Sequence, residues 1–156
     1  MFKTLYDAGA VRRYHTNKTL KDQDLAAHSW GVAMIIREIM PGNLMLIEAA
    51  LTHDLAESVT GDIPYTGKRK HPLLKTASED AEREFDMVNG TLVQLTPIEA
   101  RCLAWADMFE CYLFSIREVE MGNNLMRFVV DTAREALINM GAPTKEADKL
   151  FRNYHV

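Results

Sequence analysis

The chain has 156 residues, of which 47% are hydrophobic and 26% charged, and its net charge is −4. That length fits one domain, residues 1–156, able to bury a core without disulfides, and the composition excludes disorder and fibrous repeats. The acidic balance disfavours a nucleic-acid polymer as partner, since gripping duplex phosphates calls for a basic face; a small phosphorylated ligand needs only a local arginine and stays open.

No apolar run approaches 18 residues, so no membrane span is expected. The opening Met-Phe-Lys-Thr-Leu-Tyr-Asp has neither an apolar h-region nor a small-residue cleavage site, so no secretory signal is expected. Leu25, His28, Val32, Ile35, Ile36 and Ile39 recur at steps of three and four, which predicts a helix with a buried stripe, capped by Asp22 or Asp24. Pro41-Gly42-Asn43 predicts a turn. Leu46, Ile47, Ala50, Leu51 and Leu55 predict a second helix running to about Ser58. Val59 to Pro72 holds two glycines and two prolines and reads as a loop. Leu74, Ala77, Ala81, Phe85 and Val88 predict a third helix that stops near Asn89-Gly90. Thr96-Pro97 with Glu99 is a helix start, with a cap, a proline at the first position and an acidic first turn. The helix it opens extends to about Met121, and Leu125–Met140 and Pro143 to about Tyr154 supply two more. No hairpin signal interrupts them. The fold class is all-α, a bundle of about six helices. Cys102 and Cys111 on one helix would stand about 13.5 Å apart along its axis, beyond disulfide reach. Two unpaired cysteines fit a reducing cytoplasm.

Three places break the apolar patterning. His28 lies on the stripe with Leu25 and Val32. His53-Asp54, with Glu57, closes the second helix. Asp107 follows Leu103 and Ala104 at helical spacing. Each has an ordinary reading: a satisfied core histidine, a chance dipeptide, a carboxylate paired with Arg101 or Arg134. Together they call for a cation, because burying an unpaired carboxylate is costly. Two imidazoles and two carboxylates suit Mn, Fe, Co, Ni or Zn. On an octahedral ion they leave positions open, which is a catalytic pattern. Glu57, one turn beyond His53, is placed to orient water and move its proton.

The runs Ala27-His28-Ser29-Trp30-Gly31-Val32-Ala33, His53-Asp54-Leu55-Ala56-Glu57, Thr60-Gly61-Asp62-Ile63-Pro64 and Ala106-Asp107 resemble the HD-domain phosphohydrolases. With Val11-Arg12-Arg13-Tyr14-His15 upstream, they resemble the 5′-deoxynucleotidase branch and its short phage relatives that act on deoxynucleoside triphosphates. The resemblance implies an HD-type helical bundle in which His28, His53, Asp54 and Asp107 bind one divalent transition metal per chain. It implies Glu57 as the acid/base and Arg13 as the phosphate contact that also serves catalysis. Tyr14 takes the place of a tryptophan that touches the sugar, Asp62 matches the acid that reads the deoxyribose 3′-hydroxyl, and Lys68 stands where a lysine can meet phosphate. Ala27 departs from the usual glutamate before the first histidine. His15, His71 and His155 have no spacing partners and receive no role.

The expected function is metal-dependent removal of phosphate or tripolyphosphate from a deoxynucleotide. The competing readings are a nucleotide-binding sensor without turnover, which the intact Glu57 argues against, and a phosphodiesterase acting on small or cyclic nucleotides. A cytoplasmic setting is expected, the host's for a phage-encoded chain. A homo-oligomer is expected because Phe109, Tyr112, Phe114, Met121, Leu125, Met126, Phe128 and Val129 exceed what six helices would cover.

Overall fold

The computed structural model describes residues 2–154, so His155 lies outside the described residues. In chain order the helices are α1 (Phe2–Ala8), α2 (Leu25–Ile39), α3 (Leu44–Thr52), α4 (Glu57–Thr60), α5 (Tyr65–Lys70), α6 (Pro72–Asn89), α7 (Pro97–Glu120), α8 (Arg127–Met140), entered through a 3-10 turn at Asn124–Met126, and α9 (Lys145–Asn153). Among the described residues there is no strand, only an isolated bridge between Arg12 and Asp24. No described helix is long and apolar enough to cross a membrane.

The centre is α7, which spans about 36 Å and packs on α2, α3 and α8. Its start is fixed by a reciprocal capping box between Thr96 and Glu99. Glu99 also accepts from the Asn43 side chain at 2.6 Å. Asn43 in turn caps α3 by accepting from the Leu46 N–H. One face of α7 buries Cys102, Trp105, Phe109 and Tyr112 against Val32 and Ile36 of α2, Leu46 of α3 and Leu137 of α8. Trp105 stacks on Phe109 with ring centres 4.8 Å apart. Of the two candidate caps for α2, Asp24 is the one used: its side chain accepts from the Ala27 N–H. A smaller cluster of Ala8, Leu55, Ala56 and Phe85 joins α1 and α6 to the segment after α3.

The structure departs from the sequence expectation in three places. The second helix does not run to Ser58. It stops at Thr52, where the His53 ring donates to the Ala50 carbonyl at 2.9 Å. A tight turn follows, with bonds from Leu55 N to Thr52 O and from Glu57 N to Asp54 O. The stretch after Val59 contains α5, although Gly67 inside it costs about 1 kcal/mol in helix propensity; packing on α6 overrides that. Third, α1 has too few residues for a visible period, and its Leu5 and Ala8 gain their burial from distant partners.

The segment before α2 has no regular structure but is held at both ends. At its base Leu25 N–H donates to Val11 O and Arg13 N–H to Gln23 O, each at 2.9 Å. At its tip the buried Glu118 carboxylate of α7 accepts from the N–H groups of Leu20 at 2.7 Å and Lys21 at 2.9 Å. Asn123 bridges Glu118 and the Lys18 carbonyl, both at 2.8 Å. Phe109, Tyr112 and Met126, counted in sequence as candidate contact residues between subunits, are core residues, whereas Leu125 and Phe128 face solvent.

Candidate metal centre and substrate pocket

Three elements converge beside the middle of α7. The first turn of α2 carries His28, fully buried. The break after α3 carries His53 and Asp54 and delivers Glu57 at the start of α4. Asp107 projects from α7. The ligand atoms of His28, His53, Asp54 and Asp107 all lie within 4.8 Å of one another. His28 Nε2 is 3.1 Å from Asp107 Oδ1 and 3.6 Å from Asp54 Oδ2. His53 Nε2 is 3.3 Å from Asp54 Oδ2. Despite this proximity both Nε2 atoms are buried without a hydrogen-bond partner. Two buried orphan nitrogens facing two carboxylates are what a divalent cation satisfies, and the mixed N/O set suits a first-row transition metal.

Each imidazole is held from its other nitrogen. His53 Nδ1 donates to the Ala50 carbonyl. His28 Nδ1 lies 2.6 Å from Glu110 Oε2, and Glu110 Oε1 accepts from Gln23 Nε2 at 2.7 Å. Burial alone would lower the His28 pKa, but Asp107 and Glu110 outweigh it and raise it to about 9. Burial would raise Asp107, yet His28, His53 and Arg13 hold it well below the usual carboxylate range.

Arg13 reaches the same centre from the segment before α2. Its guanidinium donates to Asp54 at 2.9 Å and stands 4.0 Å from Glu57. Burial would lower its pKa, but Asp54, Asp107 and Glu57 keep it firmly charged. Glu57 is buried, and its Oε2 has no partner. Burial first, then the Asp54 charge, push its pKa up to about 8 against the pull of Arg13. A carboxyl so placed carries a proton near neutrality and can give it up, as an acid/base requires.

A cavity of about 160 Å³ opens next to Arg13, lined among others by Tyr14, Asp62, Tyr65, Met108 and Thr132. Tyr14 has φ +55°, in the left-handed region that a side chain rarely adopts. Three contacts hold it there: its N–H donates to Asp62 Oδ2 at 3.2 Å, its hydroxyl to Cys111 Sγ at 3.1 Å, and its ring stacks on Phe114 at 4.7 Å. Burial raises the pKa of the Tyr14 hydroxyl, and it pushes the Cys111 thiol up to about 11. His15 stands 3.8 Å from Asp62. Lys68 is elsewhere: its ammonium binds Glu82 of α6 at 3.1 Å, and it does not line the cavity. Trp30, inside the first motif, faces solvent.

Asp107, Glu110, Cys111, Phe114 and Glu118 occupy one face of α7, at helical steps of three and four. Glu110 is the site residue that sequence reasoning missed. Its signal was a charge between the core residues Phe109 and Tyr112, which reads as an exposed face until its partners are known.

The fold is that of two solved HD-domain proteins. A Listeria innocua HD-domain phosphohydrolase aligns at a TM-score of 0.75 and 21% identity, over 97% of this chain and 84% of its own. A cyanophage S-2L HD phosphohydrolase, DatZ, solved with dA and one catalytic Zn²⁺, aligns at 0.72 and 21%, over 99% and 94%. Among curated protein sequences none matches the chain. The family model for YfbR-like 5′-deoxynucleotidases matches residues 1–154, and the chain therefore belongs to the YfbR-like 5′-deoxynucleotidase family.

Proposed function

We propose that this protein cleaves the 5′-phosphoester of a deoxynucleotide, with one divalent transition metal held by His28, His53, Asp54 and Asp107. The observation that carries the reading is the pair of buried, unpartnered Nε2 atoms facing two carboxylates beside Arg13 and an open cavity. The ion would supply Lewis acidity toward a phosphate oxygen and a water more acidic than bulk. Arg13 neutralises charge on the phosphate through its fork of donors. Glu57 positions the water and handles its proton, and the raised pKa suits that exchange near neutrality.

Sugar and base enter the cavity. Asp62 spends one oxygen on the Tyr14 N–H and has the other for the sugar 3′-hydroxyl. Tyr14, held rigidly between Cys111 and Phe114, crowds the 2′ position and selects deoxyribose. DatZ, of the same fold, binds dA, which makes deoxyadenosine nucleotides the first substrates to test. Cleavage at the 5′ ester releases orthophosphate from a monophosphate and tripolyphosphate from a triphosphate. The longer chain is favoured by one observation: α5, whose Tyr65 and Thr66 line the cavity, carries Lys68, Arg69 and Lys70 in its last turn. Lys68 contributes only by exchanging Glu82 for phosphate.

The test incubates purified protein with Mn²⁺, Co²⁺ or Zn²⁺ and a panel of ribo- and deoxynucleoside mono- and triphosphates, and identifies the released species by phosphorus NMR. The expected result is a free deoxynucleoside with orthophosphate or tripolyphosphate. Metal-loaded protein that releases neither from any deoxynucleotide refutes the reading. The same proposal places the protein in a reducing cytoplasm, in keeping with free Cys102 and Cys111, and as a homo-oligomer joined through exposed apolar residues such as Leu125 and Phe128. Light scattering at the mass of one chain would refute the oligomer.

A further inference from the structure

We propose that Glu110 is a positioning residue of the metal centre: it fixes His28 in the tautomer that presents a bare Nε2 to the ion, and through Gln23 it ties that ligand to the backbone of Arg13. This rests on the metal centre proposed above.

An ionised carboxylate only accepts hydrogen bonds. With Glu110 Oε2 2.6 Å from His28 Nδ1, Nδ1 keeps its proton when the ion binds, and Nε2 is the nitrogen that offers a lone pair. Without that acceptor, the proton can move to Nε2 and block ligation, or the ring can turn. His53 receives the same service from a backbone carbonyl, so only at His28 does a side chain decide the outcome. The other Glu110 oxygen accepts from the Gln23 side-chain amide at 2.7 Å, and the Gln23 backbone carbonyl accepts the Arg13 backbone N–H at 2.9 Å. Arg13 closes the circuit on Asp54. A ligand from α2 and the phosphate-binding arginine are thereby referred to one carboxylate of α7.

Gly31 is built around this contact. It lies one turn beyond His28, and a Cβ there would sit 2.8 Å from Glu110 Cγ and 3.2 Å from Oε1. The glycine of the first motif thus has a steric reason: any side chain pushes Glu110 off His28.

The experiment compares the full-length wild type with Glu110→Ala, Glu110→Gln and Gly31→Ala. Zn²⁺ affinity is read by competition with a chromophoric chelator, fold by circular dichroism, and the His28 tautomer by nitrogen-15 NMR of the Zn²⁺-loaded protein. Glu110→Ala is expected to weaken Zn²⁺ about 10- to 100-fold and to lose the Nδ1–H signature. Glu110→Gln, which keeps an acceptor, is expected to restore most of the affinity. Gly31→Ala is expected to weaken Zn²⁺ although it changes no ligand and no acceptor. Folded Glu110→Ala with wild-type affinity and tautomer overturns the proposal and leaves the metal centre standing. If Glu110→Ala does not fold, Gly31→Ala decides, and wild-type affinity there overturns the proposal. A wild type that binds no metal overturns both.

Discussion

Glu57→Gln separates the proton's role from the metal's. The four proposed ligands suffice for the ion without Glu57, and glutamine matches the side chain in size, so fold and metal content should survive. Losing a positioned acid/base costs about 10²- to 10⁴-fold in rate. Nucleotide affinity, carried by Arg13, the metal and the cavity, should stay close to wild type when measured by calorimetry. The structure adds a second signature in the metal-free protein. Burial and Asp54 raise the Glu57 pKa from 4.5 to about 8. Between those values the folded chain keeps a proton that the unfolded chain has released. The stabilisation is therefore complete below pH 4.5 and is lost as pH rises through about 8. That interval corresponds to about 5 kcal/mol at most. Glutamine has no proton to lose, so the variant should gain on the wild type steadily from pH 5 to pH 8.5 in denaturant titrations run with a chelator present. A stability difference that does not change with pH refutes the buried-carboxyl account. Loss of metal from the variant would make Glu57 a ligand, and turnover near the wild-type rate with metal in place would assign the proton to another residue.

Elemental analysis of active protein should give one metal per chain, and His53→Ala or Asp54→Ala should lose both metal and activity; two tightly held ions, or an active metal-free variant, would count against the ligand set. Deoxyadenosine nucleotides should turn over faster than adenosine nucleotides, with the gap narrowed by Tyr14→Ala; equal turnover by the wild type would remove the sugar assignment. Glu118→Ala should destabilise the protein by about 1–3 kcal/mol, because it strands the N–H groups of Leu20 and Lys21 and the Asn123 amide, and it should weaken nucleotide binding while leaving metal content intact. Burial works against the charged Glu118, but those donors outweigh it and hold its pKa below the ordinary value; its contribution is present above that value and lost as pH falls, so the variant and wild type should converge in acid.

Three of the helices read in the sequence carry their own chemistry at an end: Asp24 before α2, Thr96-Pro97 with Glu99 before α7, and Gly90, in the left-handed conformation after α6. The candidate metal ligands stand out in the sequence because His28 and Asp107 put polar groups on otherwise apolar stripes, with His53-Asp54 at the close of a helix between them. What stayed hidden depends on partners far along the chain. The stop at Thr52 comes with the His53 ring turned back on Ala50, which no periodicity encodes. The burial of α1 depends on Leu55 and Phe85. Glu110 looks like any helical glutamate until Gln23 and His28 are brought against it. Lys68 was placed by its order in a motif, and its actual partner, Glu82, lies on another helix.

The face of α7 from Asp107 to Glu118 works as a ruler. Over about 16 Å of axis it sets a proposed metal ligand, the carboxylate behind His28, the sulfur and ring that hold Tyr14, and the anchor for the segment ahead of α2. Such a ruler forgives changes of side chain more readily than changes of length. One residue inserted between Asp107 and Glu118 would turn everything beyond it by about 100° and advance it by about 1.5 Å, swinging Glu118 away from Leu20 while leaving Asp107 in place. Insertions and deletions should therefore be tolerated around Gly90 and Gly141, where turns absorb them, and be ruinous within α7.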